Sequence, residues 1–303
     1  MTSVVNVVVI GAGAVGQLLA SFLAEAQMRV TVVVRRQEQA DELNLKHLKR
    51  INLDGSETIR QIVPSVNLKL LPQPDLIIIA VKYGQLPNIY QQLTDIPKEV
   101  PLLFVQNGLA HFHEALQLPQ LTIAFSSVSF GAQSLNGTTV QHRGVGPMKI
   151  GIARGDHCVF NKLQLLENTL FPIELVDDAE QILFEKAVLN CLINPLTAVL
   201  QLKNGDLLTN KQAHLLMHTI YQELSEAFNI EKSIPFSAVI ALCEKTAGNT
   251  SSMLADRLQG RKSEVESIVG VVLRKALANG YPLPTLRTLY HQVLALEESG
   301  ERC

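Results

Sequence analysis

The chain has 303 residues, 47% of them hydrophobic and 18% charged, with a formal net charge of −2. That length suits two domains with sizeable cores, and the balance has neither the basic excess of a nucleic-acid binder nor the acidic tail of a solvating protein. Four cysteines, Cys158, Cys191, Cys243 and Cys303, stand apart without CxxC or finger-like spacing, so they read as reduced thiols of a cytoplasmic protein, not as a disulfide framework or zinc site.

The opening run VVNVVVIGAGAVG could pass for the apolar region of a secretory leader, but no Lys or Arg precedes it. No stretch approaches the ~18 consecutive apolar residues of a membrane span, and there is no internal repeat. Along residues 1–150, VVNVVVI (4–10), RVTVVV (29–34), DLIIIAV (75–81) and PLLFVQ (101–106) are continuous apolar runs, as expected for strands buried on both faces of a parallel sheet. GQLLASFLAEAQ between the first two has helical period and crossover length, which makes a βαβ unit. Further strands are expected in LTIAFSSVSFGA, GTTVQHRG and PMKIGIA, the middle one after an Asn136-Gly137 turn.

The rhythm changes from about Asp178. DAEQILFEKAVLNCLINPLTAVL, KQAHLLMHTIYQELSEAFNI, SAVIALCEKTAG and the run from Lys262 to Ala278 all have helical period, and Asn279-Gly280 before Pro282 is a helix stop. The expected architecture is therefore α/β: a Rossmann-type parallel-sheet domain over 1–175, then an all-helical domain over 176–303.

Gly11-Ala12-Gly13-Ala14-Val15-Gly16 is a G-x-G-x-x-G loop that follows a strand run directly and opens a helix. In that context it points to a dinucleotide: Gly11 for the tight turn, Gly13 for backbone approach to a pyrophosphate, Gly16 for helix–strand packing, with the helix N-terminus offering its N–H groups to the phosphates. At the end of the second strand, where an NAD site usually carries Asp or Glu, the chain has Arg35-Arg36. Guanidiniums suit a 2′-phosphate, which favours NADPH over NADH, although arginines at a strand end are also ordinary surface charges.

Lys186, Asn190 and Asn194 fall at i, i+4 and i+8 within the otherwise apolar KAVLNCLINP, so a helix stacks them along one face. Together with VKYGQL (81–86), QNGL (106–109), Asn204-Gly205 and NTSSMLADRLQGRKSEVESIVG (249–270), this block resembles ketopantoate reductase, of the 6-phosphogluconate-dehydrogenase-like group, over nearly the full length. The resemblance implies NADPH-dependent reduction of a 2-keto acid in a crevice between the two domains. It implies Lys186 as proton donor to the keto oxygen, and Asn190, Asn194, Asn204 and Ser252 as the groups holding the substrate's hydroxyl and carboxylate. Arg35 would meet the 2′-phosphate, and Lys82, Asn107 and Glu264 the cofactor, with Asn107 also close to the substrate. A THGA-like segment of the family, which implies a cofactor contact at Ala132, reads Ser129-Phe130-Gly131-Ala132 here.

The same residues make chemical sense unaided by the resemblance. A lysine is both a positive charge beside a developing alkoxide and the acid that protonates it, and burial lowers its pKa toward a useful range. Asparagines donate and accept without adding charge. The duller alternatives are a snorkelling Lys186 and a Glu264 that merely pairs with Lys262 or Arg261. His214 and His218 share a helix face, but without HExxH and a third ligand they carry no metal expectation; His111-Phe112-His113 is likewise unaccompanied. Ser126-Ser127 and Ser251-Ser252 lie in no G-x-S-x-G elbow. Rival functions are reduction of another branched 2-keto acid and silent NADP sensing without catalysis. No nucleic acid or membrane partner is expected, and the assembly is left as monomer or homodimer.

Overall fold

The computed structural model describes residues 4–68, 73–161, 163 and 170–300; Cys303 lies outside them. In chain order the elements are β1 (Asn6–Ile10), α1 (Ala14–Glu25), β2 (Arg29–Val33), α2 (Gln37–Lys46), β3 (Leu48–Ile51), β4 (Glu57–Arg60), β5 (Val63–Ser65), β6 (Leu76–Ile79), α3 (Leu86–Leu93), β7 (Leu102–Phe104) and α4 (His111–Ala115). There follow β8 (Ile123–Val128), β9 (Gly131–Ser134), β10 (Thr139–Gly144), β11 (Met148–Arg154), α5 (Cys158–Asn161), β12 (Ile173–Val176) and α6 (Ala179–Leu200). The rest is helical: α7 (Asp206–Thr209), α8 (Lys211–Phe228), α9 (Phe236–Lys245), α10 (Ser252–Leu258), α11 (Val271–Ala278) and α12 (Pro284–Gly300).

The chain divides into two compact units. The first comprises residues 1–106 and 111–182, the second 107–110 and 183–303. The division thus falls after Ile182, inside α6, and not at 175/176. The first turn of α6 packs on the sheet unit, where Ala179 lies so close to Gly151 that a β-carbon there would sit 2.4 Å from the Ala179 Cα. Residues 107–110 fall in the helical unit because Leu109 N–H donates to the Ser267 carbonyl at 3.1 Å.

The first unit is built on an eight-stranded sheet in the order β12-β11-β8-β7-β6-β1-β2-β5. The six strands from β8 to β5 are mutually parallel, while β11 runs antiparallel to β8 and parallel to β12. The expected parallel sheet therefore carries a two-stranded extension of opposite direction. Residues Val7, Val9, Ile77 and Ile79 are all at most 1% exposed, which is why these runs read as unbroken apolar segments.

A second sheet, β4-β3-β10-β9, packs on α1 and was not foreseen. Its attachment is partly ionic. Arg50 on β3, 3% exposed, donates to Glu25 at the end of α1 at 2.7 Å and lies 4.0 Å over the Phe22 ring. Gln17, buried on α1, donates to the carbonyls of Asn136 and Gly137 in the β9–β10 connection at 3.0 and 3.2 Å.

The second unit packs α8, α9, α11 and α12 around α6. Ala187, Val188, Cys191, Leu192 and Leu196 are fully buried in its core with Met217, Leu224, Val269 and Leu286. By length and hydropathy α6 is apolar enough to cross a membrane, but its apolar faces are occupied by that core. Local signals fix the helix ends. The Asn210 side chain accepts from the N–H groups of Gln212 and Ala213 to start α8, Asn229 ends it at φ +51°, and the Glu223 carboxylate accepts from Thr285 and Leu286 N–H at the start of α12. One irregularity matters below: Glu266–Gly270, expected as plain helix, is π-helical and leads into α11.

The Arg50–Glu25 pair is the test of how the second sheet is held. Glu25→Ala leaves a buried guanidinium without its carboxylate, and because Glu25 is itself part-exposed the expected loss is on the order of 2 kcal/mol of unfolding free energy. Denaturant titration reads it; a loss below about 0.5 kcal/mol would mean that water screens the pair.

Candidate active site

In the first unit, three neighbouring parallel strands end side by side, and the residues expected to bind a dinucleotide follow directly. The Gly11–Gly16 loop follows β1, Arg35 follows β2 and Lys82 follows β6. Ligands of open α/β sheets bind at this carboxyl edge. Gly11 has φ +107°, and a β-carbon on Gly16 would lie 1.9 Å from the Gly11 carbonyl oxygen, so the loop closes only with glycine at both positions. Gly13 is different: a β-carbon there meets nothing within 4 Å. It precedes α1 without a side-chain cap, and the first turn of α1 has no acidic residue. A glycine kept where there is space, before uncapped N–H groups, fits close approach by a phosphate. Ala12, Ala14 and Val15 complete the loop, with Ala12 and Val15 packed on the core. The Arg35 and Arg36 side chains are exposed and have no hydrogen-bond or ion-pair partner among the described residues. Lys82 is exposed beside the turn Tyr83–Gln85. Ala132 lies elsewhere, in β9 of the second sheet and partly buried against the core of the unit.

In the second unit, α6 carries Lys186, Asn190 and Asn194. Burial pushes the Lys186 ammonium down to about 8, and the Glu264 carboxylate opposes that shift. Glu264 also accepts from the Asn107 carboxamide at 3.2 Å. Arg261, its alternative partner, pairs instead with the buried Asp256 at 2.8 Å. Neither Asn190 nor Asn194 makes a side-chain hydrogen bond with the described residues, although Asn194 is only 6% exposed. Their amide atoms are not among the buried unpaired ones, so both carboxamides stay open to water or to a ligand.

Ser251 and Ser252, indistinguishable in sequence, part company here. Ser251 is buried and caps α10, accepting from Leu254 N–H at 3.2 Å. Ser252 is exposed, with no partner among the described residues. Asn204, 9% exposed, donates to Thr246 at 2.9 Å, while its amide oxygen is buried without a partner. Asn107 is placed by its neighbour. Gly108 has φ +85°, and a β-carbon on it would lie 2.0 Å from the Ser267 carbonyl oxygen in the π-helical segment. Segments of π-helix recur at functional sites, and this one receives the 107–110 loop beside Glu264.

Three of the histidines noted in the sequence have structural surroundings. His214 and His218 stand edge-on to Phe236. His111 is fully buried against Phe104 and Phe125, and burial pushes it down to about 3, so it stays neutral. No group of three or more metal-ligating side chains occurs among the described residues. Cys191 and Cys243 are buried free thiols and Cys158 an exposed one.

A Rossmann-type unit with an open glycine loop, joined to a helical unit whose central helix carries a pKa-lowered lysine, defines a two-domain nicotinamide-dinucleotide oxidoreductase. More particularly, the chain belongs to the ketopantoate reductase family: residues 7–155 match the ketopantoate reductase PanE/ApbA model and residues 178–297 its C-terminal companion. A 2-dehydropantoate 2-reductase from Listeria monocytogenes is 38% identical, over 99% of this chain and 100% of its own, and one from Bacillus subtilis is 33% identical over 97% and 98%. Among solved structures, a probable 2-dehydropantoate 2-reductase from Bacillus subtilis superposes with TM-score 0.86 at 32% identity, covering 96% of this chain and 100% of that one. A D-mandelate dehydrogenase solved with NADH and anilino(oxo)acetate has TM-score 0.86 at 25% identity, covering 98% and 99%.

Gly108→Ala tests the seat of Asn107. The β-carbon has no room and the backbone no favourable conformation, so the midpoint of thermal unfolding is expected to fall by several degrees and Asn107 to lose Glu264. Gly84→Ala, where a β-carbon meets nothing within 4 Å, is the control. Equal midpoints for the two variants would show that the loop relaxes freely.

Proposed function

We propose that this chain reduces 2-dehydropantoate (ketopantoate) to (R)-pantoate, the hydroxy acid that feeds pantothenate and coenzyme A synthesis, with NADPH as reductant. The observation that carries the reading is the polar line of α6: an ammonium titrating near 8, with two unpaired carboxamides one and two turns further on. A cofactor-sensing protein has no use for a proton donor of that kind.

When bound, the dihydronicotinamide supplies the hydride, which no side chain can. Gly11, Ala12, Gly13, Ala14, Val15 and Gly16 would hold the pyrophosphate, and Arg35 the 2′-phosphate, while Lys82, Glu264 and Ala132 are further candidates for cofactor contact. Lys186 gives its proton to the keto oxygen and, as a cation, stabilises the negative charge that develops there. Asn107, Asn190, Asn194, Asn204 and Ser252 hold the carboxylate and hydroxyl of the keto acid. Glu264 keeps Lys186 protonated at neutral pH by opposing the burial shift, and it steadies Asn107.

A second reading keeps the chemistry and changes the keto acid, as the likeness to a D-mandelate dehydrogenase suggests. NADPH oxidation followed with ketopantoate against a panel of branched and aromatic 2-keto acids separates the two. A kcat/KM for ketopantoate below that of another member of the panel would overturn the substrate assignment.

The pH dependence follows from the acid role. Reduction needs the ammonium, which is present below about 8 and lost above it, so kcat/KM for reduction should fall as pH rises through about 8. Pantoate oxidation needs the neutral amine and should rise through the same point. Lys186→Ala should lower kcat by roughly 10²–10⁴ and abolish both limbs; a variant that stays folded and keeps near-normal turnover would remove Lys186 from the mechanism.

For the cofactor, NADPH should be preferred over NADH by at least about tenfold in kcat/KM, a difference of about 1.4 kcal/mol. Arg35→Asp should erase most of that preference. Equal use of both cofactors by the unaltered protein would make Arg35 a surface charge.

A further inference from the structure

Ser252 stands on α10 and Asn194 on α6, and a buried pair of hydroxyls links the two helices beside them. Thr197, fully buried, lies 2.7 Å from Ser251, which is 6% exposed. Either hydroxyl could donate to the other, and the groups around them favour one direction. The Ser251 oxygen accepts from Leu254 N–H. The Thr197 oxygen lies 3.0 and 2.9 Å from the carbonyls of Ile193 and Asn194, and a carbonyl cannot donate. Donation by Thr197 to α6 and by Ser251 to Thr197 is the assignment that gives both hydroxyl protons an acceptor. The chain of donors is Leu254 N–H to Ser251, Ser251 to Thr197, and Thr197 to the backbone of α6 at Asn194. A second tie runs from the Arg257 guanidinium on α10 to the Ala198 carbonyl at the end of α6.

The place where this chain meets α6 is weak by design of the backbone. Pro195 stands inside the helix and has no N–H to bond the Cys191 carbonyl. The Thr197 hydroxyl bonds back to the turn just before that gap, as threonines do where helices bend. Its contacts thus bear on the turn that presents Asn194 and, through Ser251, on the residue next to Ser252.

We propose that Thr197 and Ser251 are positioning residues for the keto acid: their directed hydrogen-bond chain holds Ser252 of α10 in register with Asn190 and Asn194 of α6. The proposal rests on the reading above, in which those three side chains bind the substrate. Neither positioning residue touches the reacting atoms, so they set KM and leave the hydride and proton steps alone.

Thr197→Val keeps the shape and removes the hydroxyl. With ketopantoate and NADPH as probes, KM for the keto acid should rise roughly five- to tenfold, as for loss of one buried hydrogen bond, with kcat within about twofold and NADPH affinity unchanged. Thr197→Ser should restore KM. Ser251→Gly removes the same chain at a position where glycine still caps a helix tolerably; it should raise KM similarly, and the double variant should be no worse than either single, because both break one chain. Thr197→Val or Ser251→Gly with unaltered KM, or a double variant whose effects add, overturns the proposal; should Thr197→Val fail to fold, Ser251→Gly alone decides. Ser252→Ala is measured alongside. If it leaves KM unchanged, the substrate-binding reading itself fails; if it raises KM while the chain variants do not, only the positioning role fails.

Discussion

An ammonium does not sit easily among apolar side chains. Removing it from water costs several kcal/mol unless it deprotonates or finds a carboxylate, and the helical unit is organised around that constraint. Lys186 rides on α6, whose neighbouring residues Ala187 and Val188 are fully buried, so burial lowers its pKa to about 8, and Glu264 keeps it from falling further. Glu264 in turn is held by Asn107, and Asn107 keeps its place because Gly108 alone can pass the Ser267 carbonyl. Through these contacts one carboxylate stays beside a buried cation.

The sheet unit meets a different constraint, that of leaving backbone N–H groups open at one edge. Its means are geometric: adjacent parallel strands β6, β1 and β2 end together, and the glycine loop lets backbone N–H groups face outward from the start of α1. The side of α1 away from the main sheet is covered by the second sheet through Gln17 and the Arg50–Glu25 pair. That cover keeps a helix of mostly apolar residues, with Leu18, Leu19 and Leu23 fully buried, dry on both sides. The polar tip of the helix is left for a ligand.

Much of this was legible before folding. The strand runs of the main sheet, the α1 crossover and the long helices of the second unit were readable because buried parallel strands and core helices leave unbroken apolar runs and a 3.6-residue period in local sequence. The second sheet was not, because it pairs residues 49–51 with 139–141, far apart in the chain, through short strands, β3 burying only alternate residues. The reversed direction of β11 and β12 was hidden for the same reason, since strand direction is a property of pairing and not of any one strand. In the second unit, the π-helical turn at Glu266–Gly270 has the apolar period of an ordinary α-helix and could not be told from one in the sequence.

What the sequence by itself determined is the chemistry on offer: a glycine loop after a strand, arginines where a carboxylate would select NAD, and a lysine with two asparagines on one helical face. These depend on residue type and on spacings of a few positions, which local physics converts directly into geometry. Only the tertiary structure decided which members of that inventory are available to a ligand and which are spent on the fold. Ser251 and Ser252 are adjacent and chemically identical, yet one is enclosed against Thr197 and the other faces outward. Glu264 became a partner of Asn107, and Ala132 fell into a sheet the local pattern did not announce. Those outcomes turn on contacts between residues distant in the chain, and burial, hydrogen-bond partner and pKa are all set by such contacts.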